Sequence, residues 1–130
     1  SAGLKDIVAY QTEILRVSEI GLKDSSDLSV KAKIGTLQSF MSSDLNLTKS
    51  IVSGNVAKEE LVKFRNSSTD KTLESALSSN NFDTEIIKQL NNLLSLYQTQ
   101  LENVNNGSSK EKDKTILNTA NENVIIYEGL

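Results

Sequence analysis

Residues 82–104 read FDTEIIKQLNNLLSLYQTQLENV, and this stretch decides the fold class. Its apolar residues, Ile86, Ile87, Leu90, Leu93, Leu94, Tyr97, Leu101 and Val104, recur at intervals of three and four, which is one face of an α-helix. Asp83 and Glu85 fall in its first turn, where the helix dipole favours negative charge. Downstream, Asn105-Asn106-Gly107-Ser108-Ser109 reads as a turn, with Asn106-Gly107 supplying the turn chemistry. Ser108 and Glu111 stand at capping-box spacing and open a further helix, whose inner row is Ile116, Leu117, Ala120, Val124 and Tyr127.

Upstream the same period appears twice more. Ile7, Tyr10, Ile14 and Val17, with Leu4, Val8, Leu15 and Leu22 beside them, predict a helix over 3–23. Ser25, Ser26 and Asp27 offer cap oxygens for the next helix, predicted over 28–53, with an inner row of Val30, Ile34, Leu37, Met41, Leu45, Thr48 and Val52. Gly54 stands where a left-handed C-terminal cap would fall. Residues 55–81 are less regular. Asn55 would cap a short helix through Val56, Leu61, Val62 and Phe64; Asn66-Ser67-Ser68-Thr69 breaks it. Leu73, Ala76 and Leu77 suggest a second short helix, ended by Ser78-Ser79-Asn80-Asn81.

Four long amphipathic stretches, without Pro or sustained strand-like alternation, predict one all-α domain over 1–130. The expected architecture is a ferritin-like four-helix bundle, with short helices in the long connection between helices two and three. The preferred topology is up-down-down-up with that connection crossing over; up-down-up-down is the alternative.

Composition excludes much chemistry. With no Cys and no His in 130 residues, there is no disulfide, no Cys or His triad and no zinc finger. A formal charge of -3 with dispersed Lys argues against a nucleic-acid footprint. No apolar run approaches the ~20 residues of a membrane span, and Ser1 to Leu4 carry no signal-peptide features. The six Gly are scattered, so no phosphate-binding loop forms, and no EF-hand run is present. Asn46-Leu47-Thr48, Asn66-Ser67-Ser68 and Asn106-Gly107-Ser108 match the glycosylation pattern, as chance allows in a chain rich in Asn, Ser and Thr.

Leu73, Ala76-Leu77-Ser78, Phe82-Asp83 and Ile86-Ile87 resemble the ferritin-like bacterial family known as domain of unknown function 4142. The likeness extends to Glu19, to Ser25-Ser26-Asp27 with Val30-Lys31-Ala32, and to Phe40-Met41-Ser42-Ser43-Asp44, so that it spans residues 10–130. The resemblance implies a helical bundle located in the periplasm or at the outer membrane. The family carries His on three helices; here Leu94 or a neighbour, and the stretch from Val124 to Tyr127, stand in the corresponding places. Any metal binding or titration by those His is therefore absent from this chain.

Without His, a Glu-x-x-His di-iron centre cannot form. The acids available for an all-oxygen site are Glu13, Glu19, Asp44, Asp83, Glu85 and Glu122. Most lie off the apolar rows and are expected at the surface. Glu59-Glu60 reads as a helix-start charge pair. Tyr10, Tyr97 and Tyr127 fall on inner stripes, which predicts rings in the core with hydroxyls at its rim or hydrogen-bonded.

No catalytic, cofactor-binding or metal site is assigned, and no cofactor is expected. The leading expectation is a non-enzymatic bundle of the bacterial cell envelope, acting in binding, scaffolding or stress response with an unidentified protein or envelope partner. The alternative is a degenerate ferritin-like binder of metal or a small ligand through carboxylates. Self-association through wide stripes such as Leu93 and Leu94 is a third reading.

Overall fold

The computed structural model describes residues 2–130; Ser1, part of the N-terminal stretch read above, lies outside it. The chain is all-α: α1 (Ala2–Asp24), α2 (Leu28–Ile51), α3 (Lys58–Leu61), α4 (Ser67–Ser78), α5 (Phe82–Asn106) and α6 (Glu111–Glu128), with no strand among the described residues. Isolated helices of these lengths are marginal in water, so the apolar faces must pack to hold them. They do so in one core. Ile7, Ile14 and Val17 of α1 meet Ile34, Leu37 and Met41 of α2, the α5 row Ile86, Leu90, Leu94, Tyr97 and Leu101, and Leu117, Ala120, Val124 and Tyr127 of α6.

The cap chemistry explains most boundaries and corrects several. Asp27 caps α2, its carboxylate accepting the N–H of Ser29 at 2.8 Å and of Val30 at 3.1 Å. α2 ends at Ile51 because Val52 is already extended. Gly54 does adopt a left-handed φ of 80°, but in the loop two residues beyond the cap. α3 follows Ala57, not Asn55, and Glu60 accepts the Ala57 N–H at 3.1 Å. Asn66 ends nothing; it caps α4 by accepting the Ser68 N–H at 3.0 Å. α4 closes in a Schellman arrangement: Asn81 N–H donates to Ala76 O, Asn80 N–H to Leu77 O, and Asn80 takes φ 58°, a left-handed position that Asn tolerates. α5 runs on through Asn106, and Gly107 closes it in right-handed conformation, so Asn106-Gly107 is not a left-handed turn. α6 begins at Glu111, which puts that residue too early to complete a capping box with Ser108.

Helix directions follow from the contacts at each end. Leu4, Ile51, Val104 and Asp113 line one hollow, so the start of α1, the end of α2, the end of α5 and the start of α6 share one end of the molecule. At the other end, Asp83 at the head of α5 accepts the Ser26 N–H at 3.2 Å, the Ser26 hydroxyl at 2.9 Å and the Asp27 N–H at 3.1 Å in the α1–α2 turn. α1 packs against α2 and α5, and α6 packs against α2 and α5. The segment with α3 and α4 therefore travels the length of the molecule, touching α1 through α3 and α5 through α4. Close approach at the Asp83 end uses Gly21, whose hypothetical Cβ would lie 2.7 Å from Ile34 Cδ1 and 3.0 Å from Ile86 Cγ1. No described helix is long and apolar enough to cross a membrane.

Candidate functional site

The interior carries a polar layer to which all four long helices contribute. Gln11 lies on the inner face of α1, between Ile7 and Ile14, and is wholly buried. Its amide Nε2 donates to Thr48 Oγ1 of α2 and to Tyr97 Oη of α5, each at 3.0 Å. Thr48 in turn donates to the Asp44 carbonyl at 2.7 Å. The Asp44 carboxylate, with 2% of its surface exposed, accepts Asn123 Nδ2 of α6 at 3.1 Å and 3.0 Å on its two oxygens. Burial raises the Asp44 pKa, and the Asn123 amide only partly opposes this. Burial also drives the Tyr97 phenol well above its ordinary value, against the Gln11 hydrogen bond and with Asp44 adding to the rise. Tyr127, one turn beyond Asn123, is pushed up to about 12 by burial. In and beside this layer, two buried oxygens, Gln11 Oε1 and Tyr127 Oη, have no protein partner among the described residues.

A second polar cluster sits where α1 meets the crossing segment. Arg16 clasps Glu13 through Nε at 2.8 Å and Nη2 at 2.9 Å. Its other edge holds Asp70 of α4 through Nη1 at 3.0 Å and Nη2 at 2.9 Å. Glu13 is 3% exposed and also accepts the Asn66 N–H at 3.4 Å. The Glu13 hydrogen bond is the largest cause holding the Arg16 guanidinium more firmly charged than usual, with Asp70 adding to it. Arg16 in return holds Asp70 below the ordinary carboxylate range.

Surface placement is thus wrong for two of the six acids named from sequence. Glu13 and Asp44 can be buried because a guanidinium one turn along α1 and a carboxamide from α6 satisfy them. The other four are dispersed. Glu19 accepts Gln38 Nε2 at 2.7 Å, Asp83 caps the α1–α2 turn, Glu85 accepts Gln89 Nε2 at 3.0 Å, and Glu122 is exposed. No group of three acids able to hold a metal ion forms among the described residues. Glu60 pairs with Lys5 at 3.4 Å. Tyr97 and Tyr127 are core residues, whereas Tyr10 is only half-buried and stacks on Phe64 of the crossing segment, ring centroids 3.9 Å apart. Leu94 and Val124 are packed in the core. Leu93 is half-buried against it; the apolar residues left outside include Leu96, Ile125 and Ile126.

Gln11, Arg16 and Asn123 were not legible as polar partners. Gln11 did have a signal, since it interrupts the apolar face at the spacing of four that joins Ile7 to Ile14's row. Asn123 had none, because its partner Asp44 lies 79 residues away; Arg16 stands at helical i,i+3 spacing from Glu13, and only its second partner, Asp70, lies 54 residues away. No family model matches the chain, and neither a curated protein nor a solved structure matches it.

Proposed function

We propose that the chain is a four-helix bundle of ferritin-like connectivity that serves as a non-enzymatic binding or scaffold protein of the bacterial cell envelope. One observation carries the reading: each buried carboxylate is committed to joining parts of the chain, Asp44 to Asn123 of α6, and Glu13 to the Asn66 N–H and, through Arg16, to Asp70 of α4. Carboxylates that work on a substrate or metal converge instead on a space the ligand can enter. The opposed directions within α1–α2 and α5–α6, and the segment crossing between them, support the bundle connectivity. The envelope location rests on the resemblance carried by Phe82-Asp83 and its neighbours, and a role in stress response rests on the same likeness.

The alternative, a carboxylate binder of metal or a small ligand, has Asp44 as its strongest residue, since that group has no cationic partner among the described residues. Two measurements test the proposal. Fractionation of the native cells is expected to put the protein in the periplasm or with the outer membrane; recovery in the cytosol overturns the envelope reading. Elemental analysis after purification with added Fe, Mn, Ca or Zn is expected to find substoichiometric metal. One equivalent, lost in Asp44→Asn, overturns the scaffold reading in favour of the alternative.

A further inference from the structure

Two adjoining hollows meet at Lys33 of α2. One, of about 490 Å³, has an apolar wall of Val30, Ala32, Ile87 and Leu130, with Thr36 at its side. The other, of about 320 Å³, is polar and includes Asn91, Gln98 and Glu128. Lys33 lines both. Its ammonium lies 4.8 Å from the centroid of the buried Tyr127 ring and, among the described residues, pairs with no carboxylate. A cation thus held over a ring face, on a residue lining an apolar hollow of ligand-binding size, is set to meet an anion whose remainder is apolar. Glu128 in the polar hollow opposes a doubly charged headgroup, which favours a single negative charge.

We propose that this trough binds the anion of a medium-chain fatty acid. The alkyl chain lies along Val30, Ala32, Ile87 and Leu130, and the carboxylate meets Lys33 Nζ. The proposal builds on the reading of the chain as a binding protein, but its test reads ligand occupancy alone. It can therefore fail while the location and metal results stand, and the reverse holds equally.

The test is titration of the full chain with sodium decanoate, followed by calorimetry and by amide NMR. Single-site saturation is expected, with shifts centred on Val30, Lys33, Ile87 and Leu130. Shortening the ligand to hexanoate removes four methylenes and is expected to weaken binding at least tenfold. Decyltrimethylammonium, with an alkyl chain one carbon longer and the opposite charge, is expected not to compete. Lys33→Gln should weaken decanoate at least fivefold, and Ala32→Trp, a change at an exposed wall position, should block it. Absence of saturation, equal binding of the cationic amphiphile, shifts centred elsewhere, or full affinity in either variant overturns the proposal.

Discussion

Glu13 and Asp44 are two acids on long helices, almost equally hidden from water, and they are held by opposite means. Glu13 faces a guanidinium that grips it with two donors and reaches on to a second carboxylate in the crossing segment. Asp44 is met, among the described residues, by the neutral amide of Asn123. The first arrangement keeps charges and pairs them. The second leaves a carboxylate for which the neutral form is the easier one to bury. Depth of burial alone therefore does not say what a buried acid contributes. The charge of its partner does.

The comparison breaks first at Arg16. Arg16→Ala removes the cation that serves Glu13 and releases Asp70, and the cost is expected to be about 3 kcal/mol, since a buried charge is left unpaired. Equilibrium urea unfolding measures it; a loss under about 1 kcal/mol would mean that water reaches Glu13 and that the cluster does little. Leu94→Ala supplies an apolar yardstick on the most deeply packed row. Leu94 is 2% exposed, so truncation should cost roughly 2–5 kcal/mol, and a smaller loss would show that the α5 row collapses around the gap.

Asp44 sharpens the contrast because its pH dependence runs the other way. Its folded pKa is raised, so the folded state binds the proton more tightly than the unfolded chain does. The favourable contribution is full below the unfolded value and is lost as pH rises through the folded one. Asp70 is lowered by Arg16; its contribution is present above the unfolded value and is lost as pH falls through the folded one. Asp44→Asn should accordingly leave stability nearly unchanged near pH 3 and raise it at neutral pH. Thermal melts across that range check it, and a destabilised variant at neutral pH would show that the ionised carboxylate is the form the core wants. The smallest expected effect is none. If Asn123 and not a cation holds Asp44, EDTA leaves the melting midpoint unmoved, as does reductant in a chain without Cys. A shift of several degrees with chelator would restore the metal reading.

The helices were legible because their signal is local. The 3.6-residue period marks the α5 row from Ile86 to Leu101 without reference to anything else in the chain, and Asp27 caps through neighbours two and three residues away. Helix ends were less so. Gly54 and Ser108 have the right residue types, but each stands two or three residues from where tertiary packing ends α2 or starts α6. The polar layer was mostly hidden. Thr48 sits on the predicted inner row, yet its role depends on Gln11 from 37 residues earlier, and Asp44 is buried only because Asn123 arrives from 79 residues later. A wheel drawn for α2 alone already sets Asp44 within the apolar face, three residues after Met41 and four before Thr48; what the wheel cannot show is the amide on α6 that satisfies the carboxylate there.

The crossing segment gives the molecule a natural place to be divided. Each flanking pair, α1 with α2 and α5 with α6, is closed by a short turn, and Gly54 lies exposed in the only stretch where the chain leaves one pair for the other. A cleavage there removes no cap and severs no buried helix, while Arg16 with Asp70 and Gln11 with Tyr97 would still join the two pieces. Residues 1–54 and 55–130, supplied as separate polypeptides, carry complementary halves of one core. Their recombination is then a bimolecular event whose extent is governed by concentration, which turns a continuous domain into a two-part assembly.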